Sequence, residues 1–411
     1  MDIFKFGGAS LKNAEGVKNV AHIIGLQQEK KLLVVVSAIG KTTDALEQIA
    51  ALSQAKKDFK NELDQLSAFH LALSRELFAG DTIQKEIQHL IAKLDEVASK
   101  LEDVDLHYDQ VVSYGELLSS TMVARYLQHK NISCMWLDAR DYIKTDNTYR
   151  EGKVNWEETL KRISVLNRSP QIYLTQGFIG STNDNLTTTL GREGSDFTAA
   201  IFGSCLQANA VTIWKDVPGV MSADPKRIAS AGVFEELPYK EAAEMTYFGA
   251  SVIHPKTIKP LANRGIPLYV KSFVDPQLDG TKIHECKVNK LPPFIVFKGN
   301  QCLISCKVTD YTFVDETQLT LIFRALTELN LKINVMQNSA ISFSFCIDYR
   351  EDKVLKLIEI LGKHFEVYYN ANLTLITIKN YDATTSGEYR NMKGVILEQS
   401  SRSTLQVLLK L

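Results

Sequence analysis

The stretch LLVVVSA at residues 32–38 restricts the fold more than any other part of the chain. An unbroken apolar run without alternation cannot lie on a sheet that is wet on one face. It needs cover on both sides, and strands of that kind belong to parallel sheets held between helices. QIYLTQGFIG (171–180) and AVTIWKDVPGV (210–220) repeat the design, each passing into glycine or polar residues at its C-terminal side. Helix-like stretches at 44–104 and 115–130 lie between them. Alternating strands and helices give an α/β fold with a mostly parallel sheet. Ligands of such sheets gather beyond the carboxyl ends of the strands, so the polar residues found there are the first candidates for chemistry.

One candidate opens the chain. DIFKFGGASL (2–11) carries Lys5 inside an apolar strand, with Gly7 and Gly8 directly behind it. A glycine turn lets backbone N–H groups approach an anion, and a nearby lysine supplies the compact charge that phosphate needs. An ordinary strand-turn with a solvated lysine explains the same residues, and the P-loop order is absent. A second candidate is GREGSD, where Gly191 and Gly194 form a turn leading into DFTAAIFGSCL, so that Ser195 and Asp196 fall at a helix N-terminus. A capped helix start with Arg192 on the surface is the plainer alternative. The next strand ends in Lys215 and Asp216, and then PGVMSADPK brings Asp224, Pro225 and Lys226 into one loop, for which a solvated turn is again an alternative.

At 411 residues the chain has room for two or three domains. Its 47 basic and 48 acidic residues leave a net charge of −1, which argues against a polyanion-binding surface and so against nucleic acid as a partner. No apolar run approaches the ~20 residues that span a bilayer, and MDIFKFGG lacks the pattern of a signal peptide, so no membrane association and a cytoplasmic location are expected. The six cysteines form no CxxC pair, and no histidine is expected at ligand spacing near them; reduced, mostly buried thiols and no bound metal are expected. The double proline in KLPPFIVFKG marks a boundary between a domain at 1–290 and another at 295–411. Beyond it the order strand, helix, strand, strand, helix, strand predicts a ferredoxin-like βαββαβ unit. A hairpin-like pair follows, as if a second unit stopped early.

KFGGAS, VVVSAIGKTTDAL, SYGELLSS, TTTLGREGSDFTAA, WKDVPGVMSADPK and EAAEMTYFGASVIHPKT resemble, in order and spacing, the motifs of aspartokinases across residues 1–275, and the C-terminal region resembles their ACT domains. The resemblance implies an amino-acid kinase fold, a mostly parallel sheet between helical layers, followed by ACT regulatory units, the second incomplete. It implies transfer of the ATP γ-phosphoryl group to the side-chain carboxylate of L-aspartate, giving 4-phospho-L-aspartate, the first step toward lysine, threonine and methionine. Mg²⁺ would arrive with ATP, with no tightly bound cofactor. Such a carboxylate nucleophile is already ionised at neutral pH and needs no general base.

Carried over residue by residue, the resemblance gives Lys5 and Asp196 catalytic roles, Asp196 orienting Lys5 or the metal. It assigns aspartate to Thr43, Glu116, Arg192 and Ser195, with Glu116 on the ammonium and Arg192 on the α-carboxylate. ATP falls to Lys5, Gly7, Gly8, Ser10, Lys215, Asp216, Met221, Asp224, Pro225, Lys226 and Lys256. Several positions depart from the family pattern: Ala9 for threonine, Glu193 for glycine, Lys215 and Pro218 for threonine and aspartate, Met221 for tyrosine, and Ser251 for lysine. An amino-acid effector at the ACT region is expected, and the sequence does not choose between lysine, threonine and neither. VTDYTFVDETQ (308–318) resembles an effector loop, or is a plain strand-to-helix connection. A homodimer joined through 295–411 and a monofunctional chain are expected. The alternatives are another member of the amino-acid kinase fold, acting on glutamate, N-acetylglutamate or a nucleoside monophosphate, and a catalytically weak amino-acid sensor.

Overall fold

In the computed structural model the apolar runs form the centre of one sheet. The structure describes residues 1–411 except 28–29, 101–102, 169–171, 250–252, 289, 310–311 and 411. They divide into two compact units: Met1–Val220 with Val233–Ala243 and Ser251–Val288, and Met221–Gly232 with Glu244–Ala250 and Asn289–Leu411.

Strands of the first unit are β1 (Asp2–Phe6), β2 (Leu32–Val36), β3 (Met135–Leu137), β4 (Ile172–Gln176), β5 (Ile179–Ser181), β6 (Thr187–Thr189), β7 (Ala210–Lys215), β8 (Glu236–Pro238), β9 (Leu268–Ser272) and β10 (Thr281–His284). Eight of them make a sheet in the order β3-β4-β2-β1-β7-β9-β10-β8, and β5 and β6 make a separate antiparallel hairpin. Every pair in the large sheet is parallel except β9–β10. All residues of β2 and β4 are buried, as strands covered on both faces must be. Side-chain alternation sends Phe4 and Phe6 to one face, where both rings pack on Trp214. Ile3 and Lys5 face the other, toward the Gly194–Leu206 helix. That helix comes close because Gly203 has no Cβ, which would stand 2.6 Å from Val211.

The stretch expected to be helical at 44–104 is three helices, Thr42–Gln54, Lys60–Leu77 and Thr82–Ala98. Chain reversals at Lys56 (φ 54°) and Gly80 (φ 109°) separate them. Among the described residues no helix is long and apolar enough to cross a membrane.

The second unit adds β11 (Phe294–Lys307), β12 (Ile333–Asn338), β13 (Ser342–Asp348), β14 (Glu366–Lys379), β15 (Val395–Ser400) and β16 (Thr404–Leu409). They form one antiparallel sheet in the order β12-β13-β11-β14-β16-β15. The helices Glu316–Glu328 and Glu351–Leu361 complete the expected βαββαβ order, and Asp315 with Gln318 closes a capping box on the first. A further helix, Ala383–Arg390, precedes the β15–β16 pair and went unread in the sequence. Its Thr, Ser and Gly content is poor helix material, and the Asp382 cap on Thr385 N–H anchors it. The two long strands stay paired at both ends but are interrupted together, where Asn300 (φ 53°) and Asn372 (φ 59°) turn left-handed.

Candidate active site

Beyond the carboxyl ends of β1 and β2 lies a cavity of about 540 Å³. Lys5 reaches it from the last turn of β1, and the Gly194–Leu206 helix enters it N-terminus first. Asp196, fully buried in the first turn of that helix, meets Lys5 Nζ at 2.6 Å through one oxygen. Its other oxygen lies 3.6 Å from Lys215 Nζ, which comes from the end of β7. Three strand and helix ends thus converge on one carboxylate. Burial raises the cost of its charge, but the two ammonium groups prevail and hold the Asp196 carboxyl below its ordinary range. Two lysines face Asp196 at this side of the cavity, with the Glu193 carboxyl beside them.

Of the two glycines of the opening motif, Gly7 is the one that space requires. A Cβ on Gly7 would stand 2.9 Å from Lys5 Nζ, whereas one on Gly8 would make ordinary contact with the Ala38 and Gly40 carbonyls at 3.5 and 3.8 Å. Ser10 is buried and its hydroxyl donates to the Trp214 carbonyl, tying the motif to β7. At the helix entrance Gly191 takes φ 73°, and no side chain caps the helix. Gly177 leaves room for Ser195, whose Cβ a side chain there would meet at 2.5 Å.

Glu116 stands in the first turn of the Tyr114–His129 helix and is almost wholly buried, yet it lines the cavity. One oxygen accepts from Ala38 N–H at 3.3 Å, and the other has no partner among the described residues. Burial, opposed by the Ala38 N–H and by the charge on Lys5, pushes its pKa from 4.5 to about 8. The second oxygen leaves one acceptor of the buried carboxyl open to a further donor. Thr43, Arg192 and Ser195 line the same cavity, so the four residues assigned to one substrate share one space.

Other residues at the site were not singled out from the sequence. Glu47, Tyr108, Arg150 and Phe178 also line the cavity. Tyr108 donates to Glu47 at 2.5 Å, and the Arg150 guanidinium lies 4.1 Å from the Tyr108 ring centroid while pairing with Asp105. Asp109, fully buried, accepts from the backbone N–H groups of Arg150 and Thr189 and from the Thr189 hydroxyl, bracing the segments that carry Arg150 and Gly191. For Tyr108 and Asp109 the only sequence signal was charge and aromaticity in a polar helix, VDLHYDQVV, which a solvated face explains equally well.

Glu193 takes φ 56°, a left-handed conformation that suits glycine, and points a carboxyl into the cavity. Burial and the neighbouring Asp196 push that carboxyl above its ordinary range, against the pull of Lys215 and Lys5.

The nucleotide candidates are spread more widely. Lys215 joins Asp196, whereas Asp216 is exposed in the turn beyond β7. Lys256, near the start of the Pro255–Ala262 helix, pairs with Glu151, whose side chain packs beside Gly191. Met221, Asp224, Pro225 and Lys226 fall in the second unit's Met221–Gly232 segment, where the Asp224 carboxylate accepts from Lys226 N–H at 2.9 Å. Ser251 lies outside the described residues, as do 310–311 of the loop resembling an effector site.

The model of the amino acid kinase family matches residues 3–272. Lysine-sensitive aspartokinase 3 of Escherichia coli (strain K12) is 31% identical over 355 residues, covering 84% of this chain and 78% of that protein. The chloroplastic bifunctional aspartokinase/homoserine dehydrogenase 2 of Arabidopsis thaliana is 31% identical over 382 residues, 88% of this chain and 42% of the relative, so the chain spans less than half of that protein. Crystal structures of E. coli aspartokinase III with aspartate and ADP (R-state) and with lysine and aspartate (T-state) both superpose with a TM-score of 0.84, at 27% and 26% identity, covering 100% of this chain and 96% of theirs.

Proposed function

Because the chain belongs to the amino acid kinase family, among its aspartokinases, we propose that it transfers the γ-phosphoryl group of ATP to the side-chain carboxylate of L-aspartate. The observation that carries this reading is the pairing of Asp196 with Lys5 and Lys215 at one side of a cavity whose other side holds buried Glu116. The lysines offset the repulsion between a carboxylate nucleophile and the phosphate chain. Asp196 keeps Lys5 from swinging into solvent and so fixes its charge at the reacting end.

On the substrate side, Glu116 takes the ammonium on its unused oxygen, Arg192 forks the α-carboxylate, and Thr43 and Ser195 complete the enclosure. Gly7, Gly8 and the uncapped helix start present backbone to the phosphates. Ser10 holds that turn in place through Trp214. In this reading Asp216, Met221, Asp224, Pro225, Lys226 and Lys256 serve the nucleotide. Mg²⁺, carried by ATP, neutralises phosphate charge when it is bound.

Residues 295–411 act as the regulatory region, binding lysine or threonine and joining two chains. The sheet ends at β12 and β15, with exposed Met336 and Ile396 on those strands, and such edges favour pairing with a second copy. The E. coli aspartokinase III complex with lysine favours lysine of the two. The test is ATP turnover with aspartate, trapped as the hydroxamate, against glutamate, N-acetylglutamate and a nucleoside monophosphate. Turnover with aspartate alone supports the assignment, and turnover with another acceptor or none overturns it. Light scattering on the full chain reads the dimer.

A further inference from the structure

The expectation that no histidine sits at ligand spacing near a cysteine is corrected here: His284 and Cys286 are two residues apart, and the fold brings Glu236 to them, with the ligand atoms of all three within 4.8 Å of one another. We infer that Glu236, His284 and Cys286 form a binding site for a borderline-soft divalent cation, Zn²⁺ by ligand chemistry, at the outer edge of the first unit's sheet. The site is independent of the phosphoryl-transfer reading, since β8 lies four strands from β1 along the sheet.

Register explains the convergence. β8 and β10 run parallel with Glu236 opposite Lys282 and Pro238 opposite His284, so alternation puts Glu236 and His284 on the same face. Cys286, two residues beyond His284, continues that side as the chain leaves β10. The spacing His-x-Cys is invisible to a search for CxxC because the third ligand comes from a strand 48 residues earlier (Glu236 to His284).

The donor set and its geometry suit the ion. His284 Nε2 is buried and lies 3.3 Å from Glu236 Oε1, but among the described residues it makes no aligned hydrogen bond. A tetrahedral ion with N and O ligands at about 2.0–2.1 Å needs its ligand atoms about 3.3 Å apart. Those two atoms are therefore already spaced as one edge of a coordination tetrahedron. A side-chain rotation brings the sulfur into range, and the thiol releases its proton to solvent when it binds. Thiolate, imidazole and carboxylate together select zinc over the hard cations Mg²⁺ and Ca²⁺. Three protein ligands leave a fourth position to water. The bound ion would clamp β8, a three-residue edge strand, onto β10.

The test titrates the metal-free full chain with Co²⁺ as a spectroscopic probe and then with Zn²⁺. Expected are one equivalent of Co²⁺ at micromolar concentration, d–d bands of tetrahedral intensity with a thiolate charge-transfer band, and displacement of both by Zn²⁺ but not by millimolar Mg²⁺. Cys286→Ser should abolish the charge-transfer band, and His284→Gln should weaken binding about ten-fold or more. Glu236→Gln, a change at an exposed side chain, should also weaken binding and serves if either other variant fails to fold. The proposal is overturned if micromolar Co²⁺ and Zn²⁺ do not bind, or if the thiolate band survives in Cys286→Ser, which would place the ion on another cysteine. It is equally overturned if a folded Glu236→Gln or His284→Gln binds as the parent does.

Discussion

Glu116 offers the sharpest check on the site, because one burial effect drives two measurements in opposite directions. Its carboxyl titrates at about 8, so at pH 6 only about 1% of the empty protein carries the anion, and at pH 8 about half does. If the substrate ammonium needs that anion, the apparent aspartate affinity is scaled by the ionised fraction, and KM for aspartate should fall about 50-fold between pH 6 and pH 8. The ATP KM should move far less. Stability runs the other way. An acid whose pKa is raised by folding binds more protons folded than unfolded between 4.5 and about 8, so stability drops as pH rises through that window. Glu116→Gln removes the titrating group. It should bind aspartate poorly at every pH, lose the KM slope, and gain stability over the parent toward pH 8, with a ceiling on the order of 5 kcal/mol. Initial rates at saturating ATP give the first result, and urea midpoints at several pH values give the second. An aspartate KM flat from pH 6 to 8, or a slope that persists in Glu116→Gln, would refute the assignment of the ammonium to this residue.

Lys5→Ala should lower turnover by roughly 10²-fold. Because Lys5 is paired with a fully buried carboxylate, it should also cost about 3 kcal/mol of stability, which Lys5→Ala with Asp196→Ala recovers without restoring turnover; thermal melts and rates on both variants decide. Arg192→Lys keeps the charge but loses the fork, so the aspartate KM should rise about ten-fold or more with little change for ATP, and equal effects on both would move Arg192 to the phosphates. Glu193→Gly relieves a left-handed backbone by about 1 kcal/mol but frees the unfolded chain by a comparable amount, so near pH 4 stability should barely change. Since folding raises the Glu193 pKa, the ionised side chain becomes a liability as pH rises, and the advantage of glycine should grow with pH in denaturant midpoints.

The buried strands were legible because LLVVV admits few other environments, and the shared placement of Thr43, Glu116, Arg192 and Ser195 was legible because family motifs carried all four, which line a single cavity. What escaped depends on distance in sequence. Nothing local announces that Asp109 braces Thr189 eighty residues on, or that Tyr108 reaches Glu47, since a polar helix face looks alike whether it meets water or a cavity. Lys5 was read as a phosphate ligand with Asp196 orienting it or the metal, and of those two partners the structure pairs Asp196 with Lys5. The Ala383–Arg390 helix was missed for the opposite reason, because its formation rests on one capping aspartate and tertiary packing.

The coincident left-handed asparagines of β11 and β14 make those strands behave like a pair of rails with a shared knee. Lys298 faces Leu375 on one side of it and Leu303 faces Asn370 on the other, so both rails bend by the same amount and the gauge is unchanged. A one-sided bulge would have shifted the register and sent every later side chain to the wrong face. Leu303 of one half packs with Leu373 and Leu375 of the other in one buried cluster, so the interruption leaves the core of the sheet undivided. Lys307 is therefore set on Glu366 in the same register that sets Phe294 on Lys379, and the side chains of both halves keep their faces.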